Sequence, residues 1–547
     1  MKIYNIDFGD ITVDSVIYSL ILFFVCLLFL NLPTFRKNSK LCFLFNAFML
    51  IILLYFSVRY IPLSVSFIIT ALVLALVISF IMAFSKDADD PMKRKATGEN
   101  GVVPFVLKSN KGNLIFNNPF RNFMVIGGAN AGKTASIGKP LLANYIQNNF
   151  AGFIYDLKDF DYTRSVYNLI NKYDYPYKFY YINFVDMDTT YRTNVLDPKL
   201  IDENLMLQLM SDILTSNLGD GQKNEWFING LGIFKGVAMR FYYDYPQHCN
   251  LPTIVNFCVH NDAKRITEFV KGRPESASLA SAFIASADSI KTQASILSTL
   301  NGYISDLAFN KKVCYVLSGN DFDFNIIDPD DPKMITVSNN FGMQDVIGPV
   351  VALMVKVLSR HFTLKNQINT VFGMDEGTTF KIDGFENMPS VLREYKASFL
   401  LLTQSTAKIE KVYGKLDKAS LQANFGNVFY GAISETNDIK DFSILFTKRK
   451  ERKETRSRGS SGNRGSRSTS VSHQEKERYE PAFFKQLKAG EFVGVTSDAN
   501  KPEFHVRFKP YEFKEEEKLI SLPIVHSVKQ DDLNKHYSAL VALVKSI

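Results

Sequence analysis

The chain has 547 residues, 46% apolar and 22% charged, with a formal net charge of +8. That balance is ordinary for a folded protein and excludes a wholly disordered chain. The length calls for more than one domain.

Three apolar runs open the chain: Ser15–Leu32, Leu41–Ser57 and Leu63–Phe84, each free of Asp, Glu, Lys and Arg. Runs of roughly 17–25 apolar residues can span a bilayer as helices. A signal peptide does not fit, because acidic Asp7, Asp10 and Asp14 flank the first run and no small-residue cleavage site follows it. Basic residues set the orientation. Arg36, Lys37 and Lys40 follow the first run, Lys86, Lys93, Arg94 and Lys95 follow the third, and only Arg59 lies between the second and third. The amino terminus is therefore expected outside, and everything after Phe84 in the cytoplasm. The five cysteines show no metal-ligand spacing, which suits a reducing compartment.

A polar connector then leads into short strand patterns, "VVPFVLKS" and "GNLIF", and into "FMVI", a buried strand. Gly127-Gly128-Ala129-Asn130-Ala131-Gly132-Lys133-Thr134 follows it, and Ile137, Leu141, Leu142, Tyr145 and Ile146 recur at helical spacing beyond. This is the G-x-x-x-x-G-K-[ST] loop in its required strand–loop–helix setting. Its backbone amides and the helix N-terminus can cradle the phosphates of ATP. Lys133 is expected to reach the β- and γ-phosphates and Thr134 to ligate Mg²⁺. "GFIYDLKDFD" is the next strand and turn, so a parallel α/β sheet has begun.

From about Asn194 to Pro329 the apolar spacing is helical throughout, which predicts an all-α domain inserted into the α/β domain. Strand patterns resume at "MITVSN", "TVFGMDE", "ASFLLLTQS" and "NVFYGAIS". Asp375-Glu376 closes the second of these. A P-loop needs such acids, Asp375 to hold Mg²⁺ through water and Glu376 to activate the attacking water. Gln404, at the tip of the third, can sense the γ-phosphate, and Arg393 can stabilise transition-state charge in its own or a neighbouring subunit.

Residues 448–478 carry eleven Lys/Arg against four Glu, a net +7 of the chain's +8. They are low in complexity and read as a flexible loop. A solvated loop, a polyanion-binding arm and a contact with anionic lipid are the readings open to it. Beyond Asp531, Leu533, Tyr537, Leu540, Val541 and Val544 share one helical face.

The order of parts resembles the type IV coupling proteins of conjugation and type IV secretion, the TraG/TraD type. The matching parts are membrane helices, P-loop, "YDLK", helical insertion, "DE" strand, "TQS", a Ser/Arg-rich loop and "YEPAFFKQLKAGEF". Arg393 and Gln404 match the family's arginine and glutamine at the same eleven-residue separation, and Asp156 and Lys158 match its "DPKGE" strand end. Asn130 departs from the family loop by standing at a glycine position; Asn tolerates a left-handed backbone better than most residues. "DLKDF" lacks the family's glycine, and three spans stand where two are usual.

The resemblance implies a RecA-like P-loop NTPase domain behind N-terminal transmembrane helices, with an inserted all-α domain. The boundaries expected are 1–86 for the membrane region, 87–193 and 330–510 for the two parts of the NTPase, 194–329 for the insertion and 511–547 for the tail. It also implies a homo-hexamer on the bacterial inner membrane, which recruits DNA with a bound relaxase and drives it into the channel of a type IV secretion system. The alternatives are a coupling ATPase for protein effectors, a related DNA translocase, and a nucleotide-binding membrane scaffold without turnover.

Overall fold

The computed structural model of the chain describes residues 101–547 apart from 159, 219–222, 434, 447, 462–463 and 514–520. The three expected spans, with Cys26 and Cys42, lie outside the described residues. Pro104–Ile547 is one compact unit.

A short antiparallel hairpin comes first, β1 (Phe105–Leu107) and β2 (Leu114–Phe116). The main sheet then takes β3 (Phe123–Ile126), β4 (Ala151–Asp156), β5 (Lys178–Asn183), β6 (Lys333–Ser338), β7 (Thr370–Asp375), β8 (Ala397–Thr403) and β9 (Asn427–Tyr430). Two strands follow that pair with each other, β10 (Arg449–Ser461) and β11 (Arg464–Lys476), and then β12 (Glu491–Thr496) and β13 (Glu503–Arg507) rejoin the main sheet. Its nine strands run in the order β13-β12-β9-β3-β8-β7-β4-β6-β5. The seven from β9 to β5 are parallel, and the last two are antiparallel. Strands β3, β4, β6, β7 and β8 are buried at every position. This is why they read as unbroken apolar runs: in a parallel sheet both faces are covered.

After the P-loop a single wide π turn, Thr134–Gly138, leads into α1 (Lys139–Gln147). Helix α2 (Asp161–Lys172) links β4 to β5. Between β5 and β6 the chain is helical, with α3 (Glu203–Leu218), α4 (Glu225–Asp244), α5 (Leu251–His260), α6 (Ala263–Lys271), α7 (Ile290–Phe309) and α8 (Lys311–Val316). The local cause is visible at their first turns. Asn224, Asn250, Asp262, Ser289 and Asn310 each accept a hydrogen bond from an amide three residues on, satisfying one orphan donor per helix. Cys249, Cys258 and Cys314 are buried free thiols in this region.

Helix α9 (Gln344–Arg360) joins β6 to β7. With its leading turn it is long and apolar enough to cross a membrane, but 61% of that window is buried inside the molecule. Lys356, near its end, is 6% exposed and pairs with Asp212 of α3 at 2.5 Å and with Asp383 at 3.2 Å, tying the helical stretch to the sheet.

The amphipathic tail is α10 (Gln530–Ser546). It packs on α5 and α8, with Leu533, Leu540 and Val544 buried and Tyr537 partly so. Burying three such side chains contributes on the order of 5 kcal/mol at most. The tail therefore completes the helical stretch.

The expected flexible loop at 448–478 is corrected to a ribbon: β10 and β11 pair over 13 residues each, from Arg449↔Lys476 to Ser461↔Arg464. The signal that finds it is Gly462-Asn463 between two runs rich in Ser, Thr and Arg, a two-residue hairpin sequence.

Candidate functional site

Four motifs meet at the C-terminal edge of the parallel strands. The P-loop leaves β3, Asp156 ends β4, Asp375 ends β7, and Gln404 follows β8, which lies between β3 and β7. Strand polarity alone brings them to one edge, as open α/β sheets do for ligands.

The loop is held by its scaffold. Gly127 N donates to Thr403 O (3.2 Å) and Gly128 N to Ala432 O (2.7 Å). These two amides serve the loop's anchorage, and Ala131 N donates within the loop to Gly128 O (3.3 Å). Asn130 has φ 61° and Gly132 φ 87°. The left-handed backbone expected at Asn130 is present. Gly132 could carry no side chain, since a Cβ there would lie 2.7 Å from Gly490 N. Gly490 N in turn donates to Ala131 O at 2.9 Å. The "KAGEF" stretch thus presses its glycine against the loop, a role that sequence reasoning had not assigned.

Lys133 is 6% exposed and folds back on the loop, donating to Gly127 O (2.6 Å) and Gly128 O (3.3 Å). Its Nζ lies 3.8 Å from Glu376 Oε1, and the Lys408 Nζ lies 3.9 Å from Glu376 Oε2. Burial lowers the Lys133 ammonium from its ordinary value, and the Glu376 charge opposes that. Lys408 is brought in by the helix Thr406–Tyr413, whose start Ser405 caps. Glu376 itself has φ 53°, a left-handed turn that swings its side chain off the strand direction.

Asp156 is fully buried and accepts from the amides of Lys158, Tyr162 and Thr163 at 2.9, 2.9 and 3.3 Å. It pins the turn into α2 and presents Lys158. The Lys158 Nζ reaches both Thr134 Oγ1 and Asp375 Oδ2, each at 3.3 Å. Burial pushes the Asp375 carboxyl up to about 6, with Lys158 pulling against it. Asp375 Oδ1 is buried without a hydrogen-bond partner. An orphaned, buried carboxylate oxygen, on a carboxylate that shares the Lys158 ammonium with a threonine hydroxyl, fits a hard divalent cation, which takes oxygen ligands. Among the described residues no group of three His, Cys, Asp or Glu side chains is placed to hold a metal ion on its own.

Arg393 is not part of this cluster. It is exposed in the turn Leu392–Tyr395, just before β8, with Lys396 O accepting from Thr370 N at the start of β7. That is the opposite edge of the sheet. Strand β8, seven residues long, separates it from Gln404 by about 23 Å. The structure does not bring Arg393 to its own chain's P-loop edge.

A Gly-rich phosphate loop opening a helix, with an acid pair two strands away at the same sheet edge, defines a P-loop nucleotide-binding fold. The family of type IV secretory system conjugative DNA transfer proteins matches residues 85–491, and the chain belongs to that family. The fold is similar to the bacterial conjugative coupling protein TrwBΔN70 in its unbound monoclinic form. That likeness has 14% identity, covers 77% of this chain and 91% of that one, and gives a TM-score of 0.59. It is also similar to plasmid coupling protein TrwB in complex with ADP and Mg²⁺ (15%, 72% and 86% covered, TM-score 0.55). A third likeness is to TrwB with the non-hydrolysable ATP analogue ADPNP (14%, 75% and 89%, 0.57). At such identities the likeness is one of fold. No curated protein sequence matches the chain.

Proposed function

We propose that the protein is the ATP-hydrolysing coupling protein of a conjugation or type IV secretion system, set in the bacterial inner membrane by its three N-terminal spans. It recruits DNA carrying a bound relaxase and drives it into the secretion channel as a ring of six. The observation that carries this reading is the meeting of Lys133, Thr134, Asp375 and Glu376 at one sheet edge in a member of a DNA-transfer family. A scaffold that only held nucleotide would have no use for a carboxylate beside the P-loop lysine.

ATP is the substrate and Mg²⁺ the ion required with it. TrwB, similar in fold, has been captured with ADP and Mg²⁺. Thr134 and Asp375 would hold the ion, which would neutralise phosphate charge. Lys133 leaves the carbonyls of Gly127 and Gly128 for the β- and γ-phosphates. That frees Glu376 from its ammonium, and the carboxylate takes a proton from the attacking water. Gln404 senses the γ-phosphate from between the two motifs. Arg393, on the far edge of its own sheet, completes the site of a neighbouring subunit, where an arginine is worth orders of magnitude in rate.

The deciding experiment is phosphate release by the full chain in lipid nanodiscs, with and without single-stranded DNA, alongside a mating assay. DNA-stimulated hydrolysis lost together with transfer in Lys133→Ala supports the motor. Normal transfer by that variant rejects it.

A further inference from the structure

Tyr162 is the second residue of α2 and only 2% exposed, and its hydroxyl has no hydrogen-bond partner. A buried tyrosine usually finds one. Others in this molecule do: Tyr175 OH donates to Phe150 O and Tyr181 OH to Pro523 O, each at 2.6 Å, and Tyr145 OH shares a hydrogen bond with Ser398 Oγ at 2.6 Å. Among the described residues Tyr162 is the one tyrosine whose buried hydroxyl is left without a partner. A phenylalanine ring would fill the same space. In the structure as it stands the oxygen only destabilises, and such a group calls for an explanation.

Local structure holds the oxygen in place. Phe160 turns the backbone left-handed, at φ 69°, and Asp161 opens the helix. Asp161 pairs with Lys139 of α1 at 2.8 Å, and the Tyr162 amide donates to Asp156 Oδ2 at 2.9 Å. The side chain reaches the wide turn Thr134–Gly138 that follows the P-loop, where a Cβ on Gly138 would collide with the Tyr162 hydroxyl. Gly138 leaves room for an oxygen that bonds to nothing.

The groups around that oxygen are those assigned to Mg²⁺. Burial makes the phenol harder to ionise, the Asp375 charge adds to this, and the Thr134 hydroxyl opposes it. Both neighbours are engaged by the Lys158 ammonium, 3.3 Å from Thr134 Oγ1 and from Asp375 Oδ2. Asp375 Oδ1 accepts from nothing. A phenol donates, and an ionised carboxylate only accepts. One site thus holds a buried donor without an acceptor and a buried acceptor without a donor, while a lysine engages that acceptor's carboxylate.

We propose that Tyr162 is a positioning residue of the Mg²⁺ site: when Lys158 gives way to the ion, the Tyr162 hydroxyl donates to the Asp375 carboxylate and fixes its orientation. The proposal rests on the reading of this edge as an ATP and Mg²⁺ site.

Tyr162→Phe removes one oxygen and keeps the ring. In the full chain in lipid nanodiscs, the Tm of the metal-free protein should be unchanged or raised, because only an unpaired group is lost. The Mg²⁺ midpoint for nucleotide binding should rise about tenfold or more, because a hydrogen bond to an ionised carboxylate is missing. Nucleotide affinity in EDTA should stay the same. A fluorescent ATP analogue titrated with Mg²⁺ and again in EDTA, together with thermal melts, reads all three. An unchanged Mg²⁺ midpoint overturns the proposal and leaves the nucleotide reading standing. So does a lowered Tm joined to weaker binding in EDTA, since the residue then only shapes the loop. A wild-type chain whose nucleotide binding ignores Mg²⁺ overturns the metal-site reading and the proposal with it.

Discussion

The Lys158 ammonium stands 3.3 Å from the Asp375 carboxylate. It is also 3.3 Å from the Thr134 hydroxyl, so a side-chain cation bridges the two oxygens assigned to Mg²⁺. Metal entry must displace it. Lys158→Met should therefore raise the apparent Mg²⁺ affinity of nucleotide binding several-fold and lower the Tm of the metal-free protein, because a buried carboxylate loses its partner. Magnesium titrations of a fluorescent nucleotide, with thermal melts, read both. An unchanged Mg²⁺ midpoint would show that Lys158 does not compete for this place.

Asp375 also sets a pH dependence. Its folded value of about 6 lies above the ordinary 3.8, so the folded state holds a proton that the unfolded state has released. Its contribution to stability is full below about 4, is lost as pH rises to about 6, and amounts to at most about 3 kcal/mol. Asp375→Asn should remove this loss, stabilising the metal-free protein above pH 6 and leaving it unchanged near pH 4. Mg²⁺ requires the carboxylate, so wild-type metal affinity should weaken about tenfold per pH unit below 6. Denaturant melts and Mg²⁺ titrations from pH 4.5 to 8 check both signs.

Lys133→Ala should abolish nucleotide binding and hydrolysis. Glu376→Gln should keep binding and lose at least about 100-fold in turnover, since the base acts only in the reaction. Equilibrium binding and single-turnover phosphate release separate the two. Substantial turnover by Glu376→Gln would move the base elsewhere.

Arg393→Ala should spare ATP binding and stop turnover. Mixed with Lys133→Ala chains it should regain part of the activity, because an intact P-loop can then face an intact arginine. Confirmed co-assembly without rescue would reduce Arg393 to a structural residue.

Gly490→Ala puts a Cβ on a backbone with φ 78° and 3.0 Å from Ser136 Oγ. A left-handed backbone costs a side-chain-bearing residue about 1–2 kcal/mol. The variant should lose a few degrees of Tm and weaken nucleotide binding several-fold by shifting the P-loop. Intact nucleotide affinity at the lowered Tm would show that the Gly490–Ala131 bond does not shape the loop.

Much of the site was legible because phosphate chemistry is local: Gly127–Thr134 and Asp375-Glu376 are contiguous strings, and each had to end a strand. Asn130 was legible for the same reason, since backbone tolerance belongs to the residue. What the string does not carry is which strand end a neighbouring residue occupies. Arg393 precedes its strand and Gln404 follows it, so the strand's length throws them to opposite edges. Lys158, Lys408 and Gly490 enter through turns and helix starts whose targets are set by tertiary packing. The ribbon was hidden by composition: its strands are almost wholly polar, so the alternation that reveals most strands was missing, and only Gly462-Asn463 remained as a sign.

The tail helix has a consequence for the order in which the protein is made. Asn261 donates to the Val544 carbonyl, 283 positions later, and His260 meets Tyr537 across 277. A ribosome finishes α5 and α8 long before it reaches the helix that covers them. Throughout that interval the apolar surface which Leu533, Leu540 and Val544 later close stands open to water or to chaperones. Such distant contacts form late and slowly. A stop codon shortly before residue 530 would leave the nucleotide motifs encoded intact, yet yield a chain with an unhealed face.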